Sequence, residues 1–509
     1  MSIAVSAGIS FRPRSRRWVR PWALSAPILV LLISLPLLRP LRVPDPRMVS
    51  DGEQARLATI QAIVESHSLA IEGTSFRDTR RKIVSPADIG QPVAIHHYSD
   101  QSPMLSALLS GPYWIMHRVG LTFDNDPNWT IFWLTLLGVT LPVAGSAGLV
   151  YRMGRLFELK RPLRAGLAAA VVLGSGLISY STVLNAHAPA AALLLAAAAC
   201  LFHVIVHNEP RKAAGYFALA GVCAALAATI DLPAVVFLLM FVAVIAAFRW
   251  PIATRAAGMG LYVMGALAPL ILYAALVIPI TGDLRPGFLH RELAVKAEGN
   301  AETGQSSRAT PASSSLALSS SVSSPTASLA DSDDDTPPSA WRTALARAVR
   351  IFGSFFGEHG IFSHFPVLVL GILGVSMIMH RHWPATTKML AGGTLAGALA
   401  VIIIYSLARP SVGDSMFATR WFVVFLPLTL FWAGAWLRRP HRQSSWIMAG
   451  VLLAFSVAAS LIGATNPLPR GGFDRYTVAG ALHNLVHPQL AVPTPSPLAD
   501  NGGNSTQEP

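Results

Sequence analysis

Charge is what this sequence has least of. Only 13% of its 509 residues are Asp, Glu, Lys or Arg, where a soluble domain carries about 25%. A soluble globule of this length is therefore excluded. Cysteine is nearly missing as well: Cys200 and Cys223 are the whole complement, each inside an apolar run. A disulfide framework or a zinc site needs more ligands at other spacings, so both read as small core or lipid-facing residues. The motifs of soluble catalysis are also lacking. There is no phosphate-cradling loop, dinucleotide fingerprint, HExxH pair or nucleophile elbow. No internal repeat is visible, so the inverted-repeat signature of many transporters is absent.

What the chain has is hydrophobic length. Apolar residues make up 52% of it, and long runs recur from one end to the other. The fold class is all-α, a polytopic transmembrane helical bundle. The runs fall at about 23–38, 129–151, 164–183, 186–207, 213–230, 233–249, 256–280, 361–379, 387–407, 418–437 and 445–463, which makes about eleven spans. The net charge of +13 does not point to nucleic acid, because the Lys and Arg gather in short turns between runs. Threading the spans alternately from a cytoplasmic N-terminus places five turns inside, and all five are basic, from Arg152–Arg164 to Arg438–Arg442. This is the positive-inside pattern, and it predicts a multi-pass protein of the plasma (inner) membrane. Treating Met104–Met116 as a further span would invert that pattern, so it is expected to lie at the interface.

The organisation follows from this count. Residues 1–22 form a basic cytoplasmic N-terminus whose apolar run lacks a small-residue cleavage site, so it reads as an uncleaved span. Residues 23–297 hold seven spans and a large outward loop, 43–128, with interfacial helices. Residues 298–340 are rich in Ser, Thr, Pro and Asp and cannot bury a core. Residues 341–465 hold four spans, and 466–509 form an outward tail with one short amphipathic stretch at Tyr476–Val486.

The outward loop opens with Ser50-Asp51-Gly52-Glu53. Ser50 and Glu53 fit a capping box, with Asp51 in the first turn where the helix dipole favours an anion. The same two carboxylates, at the membrane surface, also fit a catalytic or divalent-cation site. Further polar residues reach the outer side: His97, Asp100 and Gln101, then Asn185, His187 and Asp231, then His359 and His364, and finally Arg409, Asp414 and Arg420. Ionisable residues at span ends need partners or a wet cavity. Each also has a plainer reading: Asp231 before Leu-Pro caps the next helix, the histidines are interfacial hydrogen-bonders, and Arg420 snorkels.

On these residues the sequence resembles the GT-C-type integral-membrane glycosyltransferases, the class of lipid A aminoarabinose transferases and protein O-mannosyltransferases. Asp51-Gly52-Glu53 matches the acidic motif of their first outward loop. Tyr98-Ser99-Asp100-Gln101-Ser102-Pro103-Met104-Leu105 resembles their Lys-Pro-Pro-Leu-like segment, and Gly413-Asp414 to Arg420-Trp421 resembles the late loop of bacterial members. The layout is similar over about residues 20–465. It departs at Gln101, where the family has lysine, and at Ser102, where it has the first proline. If that lysine handles a lipid phosphate, either another cation replaces it, with Arg420, Arg409 and Arg285 the candidates, or the activity is altered or absent.

The resemblance implies transfer of a sugar from a polyprenyl-phosphate-linked donor to a lipid, glycan or protein acceptor on the outer face. Asp51 would be the general base, with Glu53 or Asp100 assisting or binding a divalent metal ion. The other residues named above would bind substrate, and an arginine or histidine would hold the phosphate. Membrane lipids are the expected surroundings and nucleic acid is no partner. The competing readings are a polytopic transporter or lipid flippase, and a scaffold of the same fold without activity. Span centres nearly free of charge favour a surface site over a translocation path.

Overall fold

Apolar runs become helices almost throughout, and the polar interruptions decide where each one stops. The computed structural model describes residues 21–38, 41, 50–79, 81–84, 96–207, 209–290, 340–408, 418 and 420–465. The first twenty residues, nearly all of the 298–340 insert, and the tail with its expected helix at Tyr476–Val486 lie outside these.

The helices are α1 (Pro21–Ser34), α2 (Asp51–Glu65), α3 (Pro103–Arg118), α4 (Pro127–Thr135), α5 (Leu141–Met153), α6 (Arg161–Gly174), α7 (His187–His207), α8 (Pro210–Ile230), α9 (Val235–Ala246) and α10 (Ile252–Thr281). After the insert come α11 (Ala340–Phe356), α12 (Ile361–His364), α13 (Leu368–Met379), α14 (Ala385–Ala408), α15 (Leu426–Phe431), α16 (Ala433–Leu437) and α17 (Gln443–Thr465). Six segments are long and apolar enough to cross a membrane: Pro127–Phe157, His187–His207, Ala213–Ile230, Ile252–Thr281, Ala385–Leu407 and Gln443–Thr465. A seventh is added if Ala344–His364 and Leu368–Met379, bent by 97°, count as one. The runs expected at 23–38, 233–249 and 418–437 are present as shorter helices, and that at 164–183 as the 14-residue α6.

The shortened spans have local causes. α6 ends at Gly174, two residues before Gly176, whose φ is +76°, a conformation in which a side chain is strained. A Cβ on Gly176 would also lie 2.4 Å from the Phe365 ring. The bend between α12 and α13 falls at Phe365-Pro366, where proline disfavours helical geometry in the residue before it. Irregular backbone is tolerated at this depth only where protein satisfies it. Here the Gly176 N–H donates to Ser460 Oγ at 3.2 Å, Ser179 Oγ donates to the Ser460 carbonyl at 2.7 Å, and Thr140 Oγ1 to that of Ser181 at 2.7 Å.

α8 and α10 approach each other closely at the backbone. Cβ atoms on Gly221 and Gly265 would lie 1.9 Å from the Tyr262 carbonyl oxygen and 2.1 Å from that of Ala218. Such small-residue contacts replace hydrophobic burial as the way helices pair in lipid. Cys200 and Cys223 are buried free thiols in α7 and α8. α3, at 16 residues, reaches about 24 Å at 1.5 Å per residue, short of a hydrocarbon core of about 30 Å.

A two-stranded antiparallel hairpin was not anticipated from the sequence. β1 (Lys82–Val84) pairs with β2 (His97–Ser99), with Ile83 opposite Tyr98. Three-residue strands carry too little alternation to be read from a pattern. Its effect is local and specific: the Asp100 N–H donates to the Arg81 carbonyl at 3.0 Å, which delivers Asp100, Gln101 and Ser102 to the N-terminus of α3.

Candidate active site

The stretch Ser50–Glu53 starts a helix with Ser50 as its N-cap, the first half of the expected capping box. α2 starts at Asp51, and Ser50 Oγ accepts from the Glu53 N–H at 3.3 Å. Glu53 then turns inward rather than toward solvent. It is 2% exposed, and its Oε1 accepts from the Leu184 N–H at 2.9 Å, which ties α2 to the segment leading into α7. Asp51 stays exposed, between Ser50 and Gly52, which both line a cleft. Removing the Glu53 carboxylate would leave the Leu184 N–H without this acceptor, a cost of about 1–3 kcal/mol. Glu53→Ala is therefore expected to lower the unfolding midpoint, while Asp51→Asn, a surface change, stays within about 0.5 kcal/mol. Thermal unfolding of both variants in detergent checks this.

One turn after Gly52, Arg56 enters the cleft, although it is only 8% exposed. Its Nη1 donates to the Gly52 carbonyl at 2.9 Å, and its Nη2 to Gln101 Oε1 at 2.8 Å. Gln101 Nε2 donates in turn to Asp100 Oδ1 at 2.6 Å, and Asp100 Oδ2 pairs with Arg81 at 3.6 Å. Burial pushes the Arg56 guanidinium down to about 10, opposed by the charges of Asp231 and Asp100. It remains a cation at neutral pH. Asp100 is fully buried within this network.

The opposite wall comes from the start of α7, the end of α8 and the segment before α15. Asn185 caps α7, its Oδ1 accepting from the Ala188 N–H at 2.9 Å while its amide donates to the Tyr180 and Val183 carbonyls. His187 follows, with Nδ1 2.6 Å from Asp231 Oδ2 at the end of α8. Trp421 lies against the His187 ring at 5.6 Å, and the buried Arg420 guanidinium sits 4.4 Å over Trp421. Among the described residues, Arg56, Arg81 and Arg420 thus face a cleft whose lining contains a single carboxylate, Asp231, already joined to a histidine. The lining therefore favours an anion. Tyr273, Tyr405 and Trp421 add aromatic faces, the mixture of apolar wall and few placed polar groups typical of ligand sites.

The structure therefore brings together Gln101, Asn185, His187, Asp231 and Arg420, with Asp51 beside the lining and Glu53 and Asp100 behind it. His97 does not join them: its ring is 3.6 Å from Glu72. His364 is buried against the Gly360 carbonyl, and His359 stands in the preceding turn; neither lines the cleft. Arg285 is two-thirds exposed beside Asp283. Arg409 and Asp414 lie outside the described residues. Sequence reasoning missed Arg56 and Arg81. The available signal for Arg56 was a lone cation four residues after Gly52, the spacing that shares one helix face.

For a divalent metal the fit is poor. Among the described residues no three His, Cys, Asp or Glu side chains gather as ligands. Asp51 points to solvent, and Glu53 is engaged with Leu184. The chemistry below therefore takes no step through a metal.

No protein-family model and no curated protein sequence matches the chain. Solved structures similar to it include the archaeal oligosaccharyltransferase AglB from Archaeoglobus fulgidus, in complex with an inhibitory peptide and a dolichol-phosphate. That match has 14% identity and a TM-score of 0.43, covering 87% of this chain and 55% of the other. The apo form of the Archaeoglobus fulgidus oligosaccharyltransferase is similar at 13% identity and a TM-score of 0.43, covering 96% of this chain and 62% of that one. A further structure of that enzyme, in complex with Zn and sulfate, is similar at 14% identity and the same TM-score, 0.43, covering 87% of this chain and 52% of that one. The chain spans less than two thirds of the length of each. At this similarity the match carries no argument about activity, which rests on the residues of the cleft.

Proposed function

We propose that the protein is a membrane glycosyltransferase that moves a sugar from a polyprenyl-phosphate-linked donor to an acceptor on the outer face of the membrane. The observation that carries this reading is Arg56. The family pattern has a lysine where this chain has Gln101, and Gln101 Oε1 receives a hydrogen bond from Arg56 at 2.8 Å. A cation thus stands beside the vacated position, supplied from α2 instead of from the hairpin. With Arg420 across the cleft, two buried guanidiniums are available for the charge that develops on a departing phosphate, and arginine is suited to binding phosphate oxygens in pairs.

The eleven-span topology is part of the same proposal, and the distribution of residues supports it. Positions threaded outward (Gly52, Gln101, His187, Asp231, Arg420) line this cleft, whereas positions threaded inward (Arg155, Glu158, Arg381, Trp383, Arg438) line a different one. Reporter fusions after residues 160, 252, 384 and 440 should read cytoplasmic, and one after residue 90 external. An external reading at 160 would move the cleft to the other face. On the acceptor side, the exposed Asp51 at the rim would meet the incoming hydroxyl compound.

The direct test uses the full chain in lipid nanodiscs with a polyprenyl-phosphate-linked hexose. Release of free polyprenyl phosphate is the expected result. A protein that only translocated the lipid would return the donor intact, and that outcome would overturn the transferase reading.

A further inference from the structure

Asp231 lies where a helix-capping carboxylate is expected, before the turn Leu232–Ala234, yet its side chain makes no cap hydrogen bond. It is directed instead at His187, 44 residues earlier, with Oδ2 2.6 Å from Nδ1. Both residues are nearly buried, at 7% and 6% exposure. Among the described residues the imidazole makes no other hydrogen bond, and His187 lines the cleft. The ring is held edge-on by Tyr180 at 6.4 Å and Trp421 at 5.6 Å. Its backbone is fixed by the Asn185 cap on α7. A carboxylate on Nδ1 selects the tautomer with Nδ1 protonated and leaves Nε2 as the acceptor.

We propose that His187, oriented by Asp231, is the general base of the transfer reaction, taking the acceptor's hydroxyl proton on Nε2. The inference rests on the glycosyltransferase reading and deepens it. In the step, the acceptor O–H bond breaks and its proton moves to Nε2. The oxygen forms a bond to the anomeric carbon of the sugar. The bond from that carbon to the phosphate oxygen breaks, and its electron pair leaves with the phosphate, which gains one negative charge. The imidazolium then returns its proton to water. No other reactant is needed. Among the described residues, the charged groups that line the cleft with His187 are Asp231 from the end of α8, Arg56 from α2, Arg81 before β1, and Arg420 from the segment before α15. Asp231 lies close enough to Arg56 for its charge to act on that guanidinium, so base and phosphate site belong to one cavity. A base must lie within hydrogen-bond reach of the proton it takes. His187 is inside the cleft, whereas the Asp51 carboxylate is exposed at its rim.

The test uses the full-length protein in nanodiscs, with polyprenyl-phosphate-linked hexose as donor and released polyprenyl phosphate as readout. General-base catalysis contributes about 10²–10⁴-fold, so kcat for His187→Ala should fall by that order, with the donor KM and retention of polyprenyl phosphate nearly unchanged. Imidazole added to the buffer should restore part of the His187→Ala rate. His187→Gln keeps a donor toward Asp231 and should be equally slow while folded. Asp231→Asn, which disturbs a positioning residue, should lower kcat without imidazole rescue, and Asp51→Asn should cost less than His187→Ala. A His187→Gln protein that turns over within a few-fold of the parent overturns the proposal. So does a large loss in Asp51→Asn alone, which would assign the proton to that carboxylate. If the unmodified protein retains no polyprenyl phosphate and releases none, the transferase reading itself fails, and the base assignment falls with it.

Discussion

Arg56→Gln is expected to abolish retention of polyprenyl phosphate and to slow donor turnover by about 10²–10³-fold, the loss seen when one preorganised donor to developing negative charge is removed. The size follows from burial. Arg56 is 8% exposed, in surroundings where a charge interacts far more strongly than in water. Its guanidinium is already anchored on two sides, by the Gly52 carbonyl and Gln101, so little ordering is left to do when an anion arrives. Folding should suffer less than function. The change leaves the Gly52 carbonyl and Gln101 Oε1 short of a donor, at about 1–3 kcal/mol. Arg56→Lys retains the charge but loses the planar fork, and should recover only part of the binding. The strongest form of the prediction is a rescue: Arg56→Gln combined with Gln101→Lys places a cation where the resembled glycosyltransferases carry lysine and should regain activity over Arg56→Gln alone. Native mass spectrometry for retention and the phosphate-release assay for turnover check both. Unchanged retention in Arg56→Gln would remove the observation on which the proposed function stands.

Gly221→Ala is expected to cause the largest loss of folded protein. Its new Cβ would lie 1.9 Å from the Tyr262 carbonyl oxygen, and backbone cannot rotate aside as a side chain can. Overpacking a core by one methyl group ordinarily costs about 1–3 kcal/mol; a backbone obstacle puts this site at or above the upper end. Gly265→Ala meets the Ala218 carbonyl in the same helix pair. The two changes should therefore be strongly non-additive, since the first already separates α8 from α10. Gly215 and Gly260, on the same two helices, would place a Cβ in open space. Alanine there should be neutral or slightly stabilising, by up to about 1 kcal/mol. Fluorescence-detected size-exclusion chromatography of the four variants measures the contrast. Equal behaviour of Gly221→Ala and Gly215→Ala would mean that the close approach is not needed.

Hydrophobic runs and caps were readable because they are local. Every apolar run appears as helix, and Ser50 caps α2 as its spacing required. The 164–183 run looked continuous because Gly174-Ser175-Gly176 is only mildly polar. It ends by the left-handed Gly176, whose missing side chain leaves room for Phe365, nearly two hundred residues away. The cleft was half legible. Gln101, His187, Asp231 and Arg420 could be named as polar residues at span ends. That His187 and Asp231 are bonded to each other, rather than serving as a cap and an interfacial hydrogen-bonder, depends on how α7 and α8 are aligned, which periodicity does not encode. Arg56 was hidden for the opposite reason: on an amphipathic helix a lone arginine reads as the wet side. The motif carboxylates took different paths. Helix phase sends Glu53 inward to Leu184 and leaves Asp51 facing out.

The Glu53–Leu184 contact also ties two sides of the cleft together. It clamps α2, with Arg56, to the segment entering α7, with His187. Pulling these apart would strip a buried carboxylate of a charge-assisted hydrogen bond, among the stronger non-covalent links available. The facing wall is held differently. There the Arg420 guanidinium sits over Trp421, whose ring meets those of His187 and Tyr405, contacts worth about 0.5–2 kcal/mol each. A ligand entering the cleft therefore meets a hydrogen-bonded carboxylate anchor behind α2 and a stack of rings at Trp421.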